Sequence, residues 1–313
     1  MDPITHGLVG LAIASVSGEP ILGAVSIGAA LAAMSPDLDI IMQCRGHLSY
    51  LKNHRGVSHS LPFLMGISII IAIGLTFIFP EIAFLKVLFW TFIGALSHSL
   101  LDLLNSYGAK LLWPIREKRY SGGLLLSFDP VIIGLSLYMI LSNQSDSILD
   151  LKVGIIFFGY LIMRWILKKN IYQKMFYRFG EEIQIKNIEL FPSMTAIHKL
   201  HFIVETTEKF IVGEVNVFNK QFQIQRELEK AQTPIYEQVL HSIVGEFFHK
   251  FTPIYHMDIQ DKGDHYCVIF TDLRFFIKNE FIYHATAILS KDLKTIEGVF
   301  HPYSFNQKVS IIQ

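Results

Sequence analysis

Between Leu61 and Pro80 the chain runs for about 20 residues without a single charged side chain, the length at which a helix crosses the hydrocarbon core of a bilayer. A segment of that kind must be kept from water, so it limits the fold to a membrane bundle or a large buried core. Further apolar stretches follow at Ile82–Leu101, with Lys86 near its start, at Pro130–Ser142, and at Val153–Leu167, closed by Lys168-Lys169. The stretch at Pro130–Ser142 extends back to Leu124 only by including Asp129. Two shorter stretches, Ile4–Ser17 and Ile21–Met34, precede them, separated by Gly18-Glu19-Pro20. They are rich in Gly, Ala and Ser, which lets helices approach closely. Residues 1–168 therefore read as an all-α polytopic membrane bundle of about six helices. Residues 169–313 have the mixed composition of a soluble domain.

Lys and Arg set the expected orientation. Arg45, Lys52 and Arg55 lie in one loop, Lys110, Arg116, Lys118 and Arg119 in another, and Lys168, Lys169, Lys174 and Arg178 follow the last stretch. The intervening loops carry Glu19, Glu81, Asp146 and Asp150 instead. Basic residues mark the cytoplasmic side, which predicts an integral protein of the cell (inner) membrane with both termini and the C-terminal domain in the cytoplasm. The N-terminus lacks the basic region of a signal peptide, so the first segment is expected to be retained. A formal net charge of zero gives no reason to expect a nucleic-acid partner. Two cysteines, Cys44 and Cys267, are too few for a disulfide framework or a cysteine zinc site, and Cys44 is read as a bystander.

The histidines and aspartates fall at one end of these stretches. His6 opens the first, Asp37 and Asp39 follow the second, His54 and His59 precede the third, His98 and Asp102 end the fourth, and Asp129 opens the fifth. In the predicted topology all of them reach the same face. Imidazole and carboxylate converging there are ligands for zinc, manganese or iron. His98 and Asp102, at i and i+4, share one helix face. In His54-Arg55-Gly56-Val57-Ser58-His59 two imidazoles flank a guanidinium suited to a phosphate oxygen. The competing account is a basic loop with a serine cap. Ser35-Pro36-Asp37-Leu38-Asp39 has its own bland account as a capped helix start, and Asp129-Pro130 another. The segment after Asp102 supplies Asn105 and Tyr107 as candidate substrate contacts. Its Lys and Arg residues fit an interfacial belt equally well.

At these motifs the chain resembles the YdjM-like family of membrane-bound, metal-dependent hydrolases. The resemblance rests on the MDPITHG opening, SPDLD, HRGVSHS, HSLLDLLNSYG with the following LWP, and the FDP at 128–130, and covers roughly residues 1–140. A later stretch, Phe270–Phe275, resembles a strand in the family's C-terminal part. The family is thought to be distantly similar to zinc-dependent phospholipases C and P1-type nucleases. The resemblance implies His6, Asp37, Asp39, His54, His59, His98 and Asp102 as ligands or site residues. It leaves the substrate unassigned.

Beyond Lys169, residues 199–226 alternate as a hairpin or meander with a turn at 206–209, Pro234–His249 reads as an amphipathic helix, and Cys267–Ile277 and Glu280–Leu289 as strands around Lys278-Asn279. The domain is expected to be α+β, and its scattered histidines to be core or surface residues rather than ligands. Taken together, the residues predict a phosphoesterase at the cytoplasmic membrane face. It would use more than one divalent ion, most simply zinc, with Asp37, Asp39 and Arg55 in catalysis, Arg55, Asn105 and Tyr107 on substrate, and Asp129 as a possible addition. Membrane lipids, including a lipid or lipid-linked phosphate substrate, are the expected partners. A non-catalytic scaffold or regulator with a structural metal, and a metal or ion transporter, are the rival accounts.

Overall fold

The computed structural model describes residues 1–38, 56–142, 147–180, 184–194, 196–231, 233–277 and 280–311. The described residues divide into two compact units, one ending at residue 166 and the other beginning at residue 167.

The first unit is helical: α1 (Pro3–Ser15), α2 (Ala24–Met34), α3 (Leu61–Ile78), α4 (Phe84–Leu104) and α5 (Pro130–Leu141), with the first part of α6 (Ser147–Gly180). Asp2 starts α1 by accepting from the Thr5 amide at 2.9 Å, with Pro3 as the first helical residue. Asp129 starts α5 in the same way, accepting from the amides of Val131 and Ile132. The stretch after α2 does not follow the helix-start account of SPDLD. Residues 35–38 continue its end as a 3₁₀ turn, and Ser35 Oγ bonds back to the Ala32 carbonyl at 2.8 Å, so SPDL closes one helix and does not cap a new one.

The expected count of about six membrane crossings is corrected to two. Among the described residues only α3, of 18 residues and mean hydropathy 2.4, and α4, of 21 residues and mean hydropathy 1.6, are long and apolar enough to cross a membrane. Helix α1 has 13 residues, α2 has 11 and α5 has 12. At 1.5 Å per residue they span roughly 17–20 Å, short of a core about 30 Å thick. Helix α6 is long, but Asp150, Lys152, Arg164 and Lys168 interrupt its apolar run.

Glycine decides how α1, α2 and α4 pack. A Cβ at Gly10 would lie 2.6 Å from the Ala29 carbonyl oxygen, and one at Gly94 would lie 2.8 Å from Ala29 Cα. Ala29 is thus held between α1 and α4 with main chain against main chain on both sides. The buried side chains around it (Ala14, Ala24, Val25, Ala72, Val87) are mostly small.

The second unit is sheet-rich. Four antiparallel strands follow one another in order: β1 (Ile185–Pro192), β2 (Lys199–Thr206), β3 (Lys209–Asn216) and β4 (Phe222–Glu229). The C-terminal end of α6 covers this sheet through Ile171, Met175 and Phe179 against Leu190, Phe202 and Val215. The helix expected over 234–249 is broken in two, α7 (Tyr236–Leu240) and α8 (Ile243–Phe251). Ser242 sits at the break and caps the second helix by accepting from the Gly245 amide at 3.1 Å. A second sheet follows, with strands β5 (Tyr255–Asp261), β6 (His265–Asp272), β9 (Tyr283–Ser290), β10 (Thr295–Pro302) and β11 (Val309–Ser310) in the order β11-β10-β9-β6-β5. A two-stranded pair, β7 (Phe276–Ile277) and β8 (Glu280–Phe281), lies between β6 and β9 in sequence. The expected strand over 267–277 stops at Asp272. There a buried Asp272–Arg274 pair, 2.8 Å apart and joined by Thr252, turns the chain. The turn placed at Lys278-Asn279 lies outside the described residues.

Candidate metal centre

Four helical-unit residues bring ligand atoms within 4.8 Å of one another: Asp37, His59, His98 and Asp102. They arrive by three routes. Asp37 stands in the turn that ends α2. His59 closes a short 3₁₀ turn, Val57–His59, just ahead of α3, and its carbonyl accepts from Ser99 Oγ at 3.0 Å, which fastens the turn to α4. His98 and Asp102 project from α4 one turn apart, and both are fully buried.

The orientation of His98 is set from behind. Its Nδ1 lies 2.6 Å from the Ala33 carbonyl oxygen, so that nitrogen donates and Nε2 is left as a lone pair. This is the arrangement by which a backbone carbonyl orients a metal-binding imidazole. His98 Nε2 and His59 Nε2 are 3.1 Å apart. Two nitrogens held at about 2.0–2.1 Å by one tetrahedral ion lie about 3.3 Å apart, so the imidazole pair fits such an ion. Asp102 Oδ2 is 3.4 Å from His59 Nε2 and 3.9 Å from His98 Nε2. Asp37 Oδ1 lies 3.7 Å from His98 Nε2 and 4.0 Å from His59 Nε2. Two imidazoles and two carboxylates gathered in one place form a nitrogen and oxygen donor set that could hold a metal ion.

Asp102 serves two neighbourhoods. While Oδ2 faces the imidazole pair, Oδ1 accepts from Asn105 Nδ2 at 2.8 Å, lies 3.3 Å from His6 Nε2 and contacts the α-amino group of Met1. The His6 ring stacks on His98 with centroids 3.6 Å apart. Asn105 therefore supports a carboxylate of the cluster, and its Oδ1 accepts from the amides of Tyr107 and Gly108 at 2.8 and 3.1 Å. Tyr107 comes beside the cluster through that amide, with its side chain half-buried.

Of the residues singled out in the sequence, His6, Asp37, His59, His98, Asp102 and Asn105 come together. Asp39, His54 and Arg55 lie outside the described residues. Asp129 is not one of the four. It caps α5 and accepts from Tyr160 Oη at 2.9 Å. Three partners were not singled out. The Met1 amine carries no sequence signal. Tyr160 is one aromatic residue among many. Arg164 had a signal, a charge inside the apolar stretch 153–167, and its Nε donates to the Leu124 carbonyl at 2.9 Å.

Residues 1–171 match the YdjM inner membrane protein family over more than half of the chain. The chain belongs to that family. Residues 234–309 match the YfhP C-terminal alpha/beta plait domain. A curated relative from Bacillus subtilis (strain 168), "Uncharacterized protein YfhP", is 28% identical over 98% of this chain and 97% of its own length. No solved structure matches. Membership in an inner membrane protein family agrees with the two apolar helices α3 and α4.

Proposed function

We propose that this YdjM-family chain is a membrane-bound, metal-dependent hydrolase acting on a phosphoester at the cytoplasmic face of the membrane. The observation that carries this reading is the meeting of His59 and His98 Nε2 at 3.1 Å beside two carboxylates, with His98 aimed by Ala33. Asp37, His59, His98 and Asp102 would hold the ion. A divalent cation supplies Lewis acidity, offsets charge growing on the phosphoryl oxygens and makes water a better nucleophile at neutral pH.

The residues themselves do the rest. Asp37 is the least buried of the four. That leaves it room to take a proton from the attacking water. The water oxygen bonds to phosphorus, the ester P–O bond breaks, and the departing alkoxide takes the proton back. Asn105 holds Asp102 in place. Arg55 and Tyr107 would hold the phosphate, and His6, Asp39 and His54 are the further candidate ligands for a second ion. Both termini and the sheet-rich unit lie in the cytoplasm in this reading.

The burial of the site favours a second reading. Three of the four ligands are fully buried, and four protein ligands with no open position describe a structural metal. The partial exposure of Asp37, the one ligand of the four that is not fully buried, favours the hydrolytic reading, because it leaves that side of the site open. Elemental analysis of detergent-purified protein, wild type beside His98→Ala, together with phosphate release from phosphoester substrates, decides between them. Metal lost and phosphate release lost together support a hydrolase. Metal bound by a wild-type protein that releases no phosphate supports the structural reading. Wild-type protein that binds no metal sinks both.

A further inference from the structure

Arg164 is a charged residue buried within the apolar stretch 153–167, on the part of α6 that belongs to the helical unit. Burying a guanidinium is costly, and ionisable groups kept in apolar helices usually serve the function of the protein. Tyr160, one turn earlier on the same face of α6, donates to Asp129. Arg164 Nε donates to the Leu124 carbonyl at 2.9 Å. Both contacts fall on the connection between α4 and α5, one at each end of residues 124–129.

That connection closes the C-terminal end of α4, the end that carries Asp102. The last carbonyls of a helix have no partner within it. Here the Leu103 carbonyl accepts from the Gly122 amide at 2.6 Å, and the Leu104 carbonyl accepts from the amides of Leu124 and Leu125 at 2.7 and 2.9 Å. The Asn105 carbonyl accepts from the Gly123 amide at 3.2 Å and from Ser121 Oγ at 2.6 Å.

Arg164 stands at the head of a line of hydrogen bonds through these groups. The peptide group whose carbonyl accepts from Arg164 is the one whose N–H, on Leu125, donates to Leu104. The peptide group of the Leu104 carbonyl in turn carries the Asn105 N–H, which donates to the Asp102 carbonyl at 3.3 Å. From the same residue, Asn105 Nδ2 donates to Asp102 Oδ1 at 2.8 Å. A positive charge at one end of such a line polarises each bond along it in the same sense.

We propose that Arg164 is a positioning residue of the metal centre. It holds the 121–125 segment against the end of α4 and, through Leu104 and Asn105, sets where the Asp102 carboxylate stands. The proposal rests on the metal centre of the hydrolytic reading and not on its substrate.

The test uses Co2+ as the probe, added to metal-stripped, full-length protein in detergent. Competition with a chelator reads affinity, the visible absorption of bound Co2+ reads ligand geometry, and the midpoint of unfolding reads stability. Arg164→Met keeps the aliphatic stem and removes the donor. It should weaken Co2+ binding about tenfold, as the loss of a group that orients a ligand does, and shift the Co2+ spectrum. Arg164→Lys returns a cationic donor and should recover most of the affinity and the spectrum. Tyr160→Phe deletes the neighbouring bond to Asp129 and should change neither. An Arg164 that serves stability alone would lower the unfolding midpoint and leave Co2+ affinity and spectrum at wild-type values. That result, or an equal loss of affinity in Tyr160→Phe, would overturn the proposal.

If Arg164→Met does not fold, Ser121→Ala decides, because it removes only the 2.6 Å bond from the same segment to Asn105. Weaker Co2+ binding with a shifted spectrum supports the proposal, and wild-type values overturn it. Wild-type protein that takes up no Co2+ overturns the metal centre and the role of Arg164 with it. Wild-type protein that binds Co2+ but releases no phosphate overturns the hydrolytic reading alone, and the shifts in affinity and spectrum still decide the role of Arg164.

Discussion

Nδ1 of His98 on α4 lies 2.6 Å from the carbonyl oxygen of Ala33 on α2, and this one contact turns the other imidazole nitrogen toward His59. The orientation of the candidate ligand is thus dictated by main chain from another helix. Outer hydrogen bonds of this kind tune metal affinity, and Asn105 offers the one most open to substitution. Asn105→Ala removes the 2.8 Å bond to Asp102 and should weaken divalent-metal binding about 10- to 100-fold. Competition against a chromophoric chelator measures it. Unchanged affinity would mean that Asn105 does not support the ligand.

Helix spacing should be as critical as the ligands. Gly94→Ala puts a methyl group against Ala29 and should cost about 1–3 kcal/mol, the usual penalty for overpacking. The midpoint of unfolding in detergent and denaturant should drop. Gly74 on α3 is the control, because a Cβ there meets nothing within 4 Å, and Gly74→Ala should be neutral or slightly stabilising.

Asp129 should behave as a cap. Asp129→Ala removes two amide partners and the 2.9 Å bond from Tyr160 and should cost about 1–2 kcal/mol. Bound metal per chain should not change. A loss of metal comparable to that in His98→Ala would instead return Asp129 to the site.

The sheet-rich unit should lose stability in mild acid. Burial holds His201, His284 and His301 below the ordinary histidine pKa, against smaller opposing effects such as the backbone bonds to Leu273, Phe281 and Phe305. With folded values depressed, the unfolded chain binds more protons once pH falls below about 6.5. Stability is therefore full above that pH and declines as pH drops toward the folded values. Hydrogen exchange on the full chain should show faster opening of β2, β9 and β10 at pH 5.5 than at pH 7.5, after correction for intrinsic exchange rates. His201→Gln should flatten the response.

Much of the cluster was legible because His59, His98 and Asp102 stand at the ends of long apolar stretches, where an ionisable side chain is conspicuous. Helix length was less legible. The stretches 4–17 and 21–34 have the hydropathy of membrane segments, but Gly18-Glu19-Pro20 and the turn at 35–38 end the helices early. Hydropathy reports what is buried and does not report how far a helix runs. In the second unit, alternation found β2 and β3. It missed β1, β5 and β10, and the break at Ser242 follows from a cap that competes with the helix. Arg164 was visible as a lone charge in an apolar run, but its partner, a carbonyl 40 residues earlier, was not.

The glycine contacts around Ala29 have one more consequence. Where two peptide backbones touch, their separation is set by the thickness of the main chain itself, a dimension that no exchange of side chains can reduce. The distance between α2 and α4, and with it the reach from Ala33 to His98, is therefore calibrated against a constant. Drift in the surrounding apolar residues can loosen or tighten the lipid-facing surface while the gap between the two imidazoles stays the same.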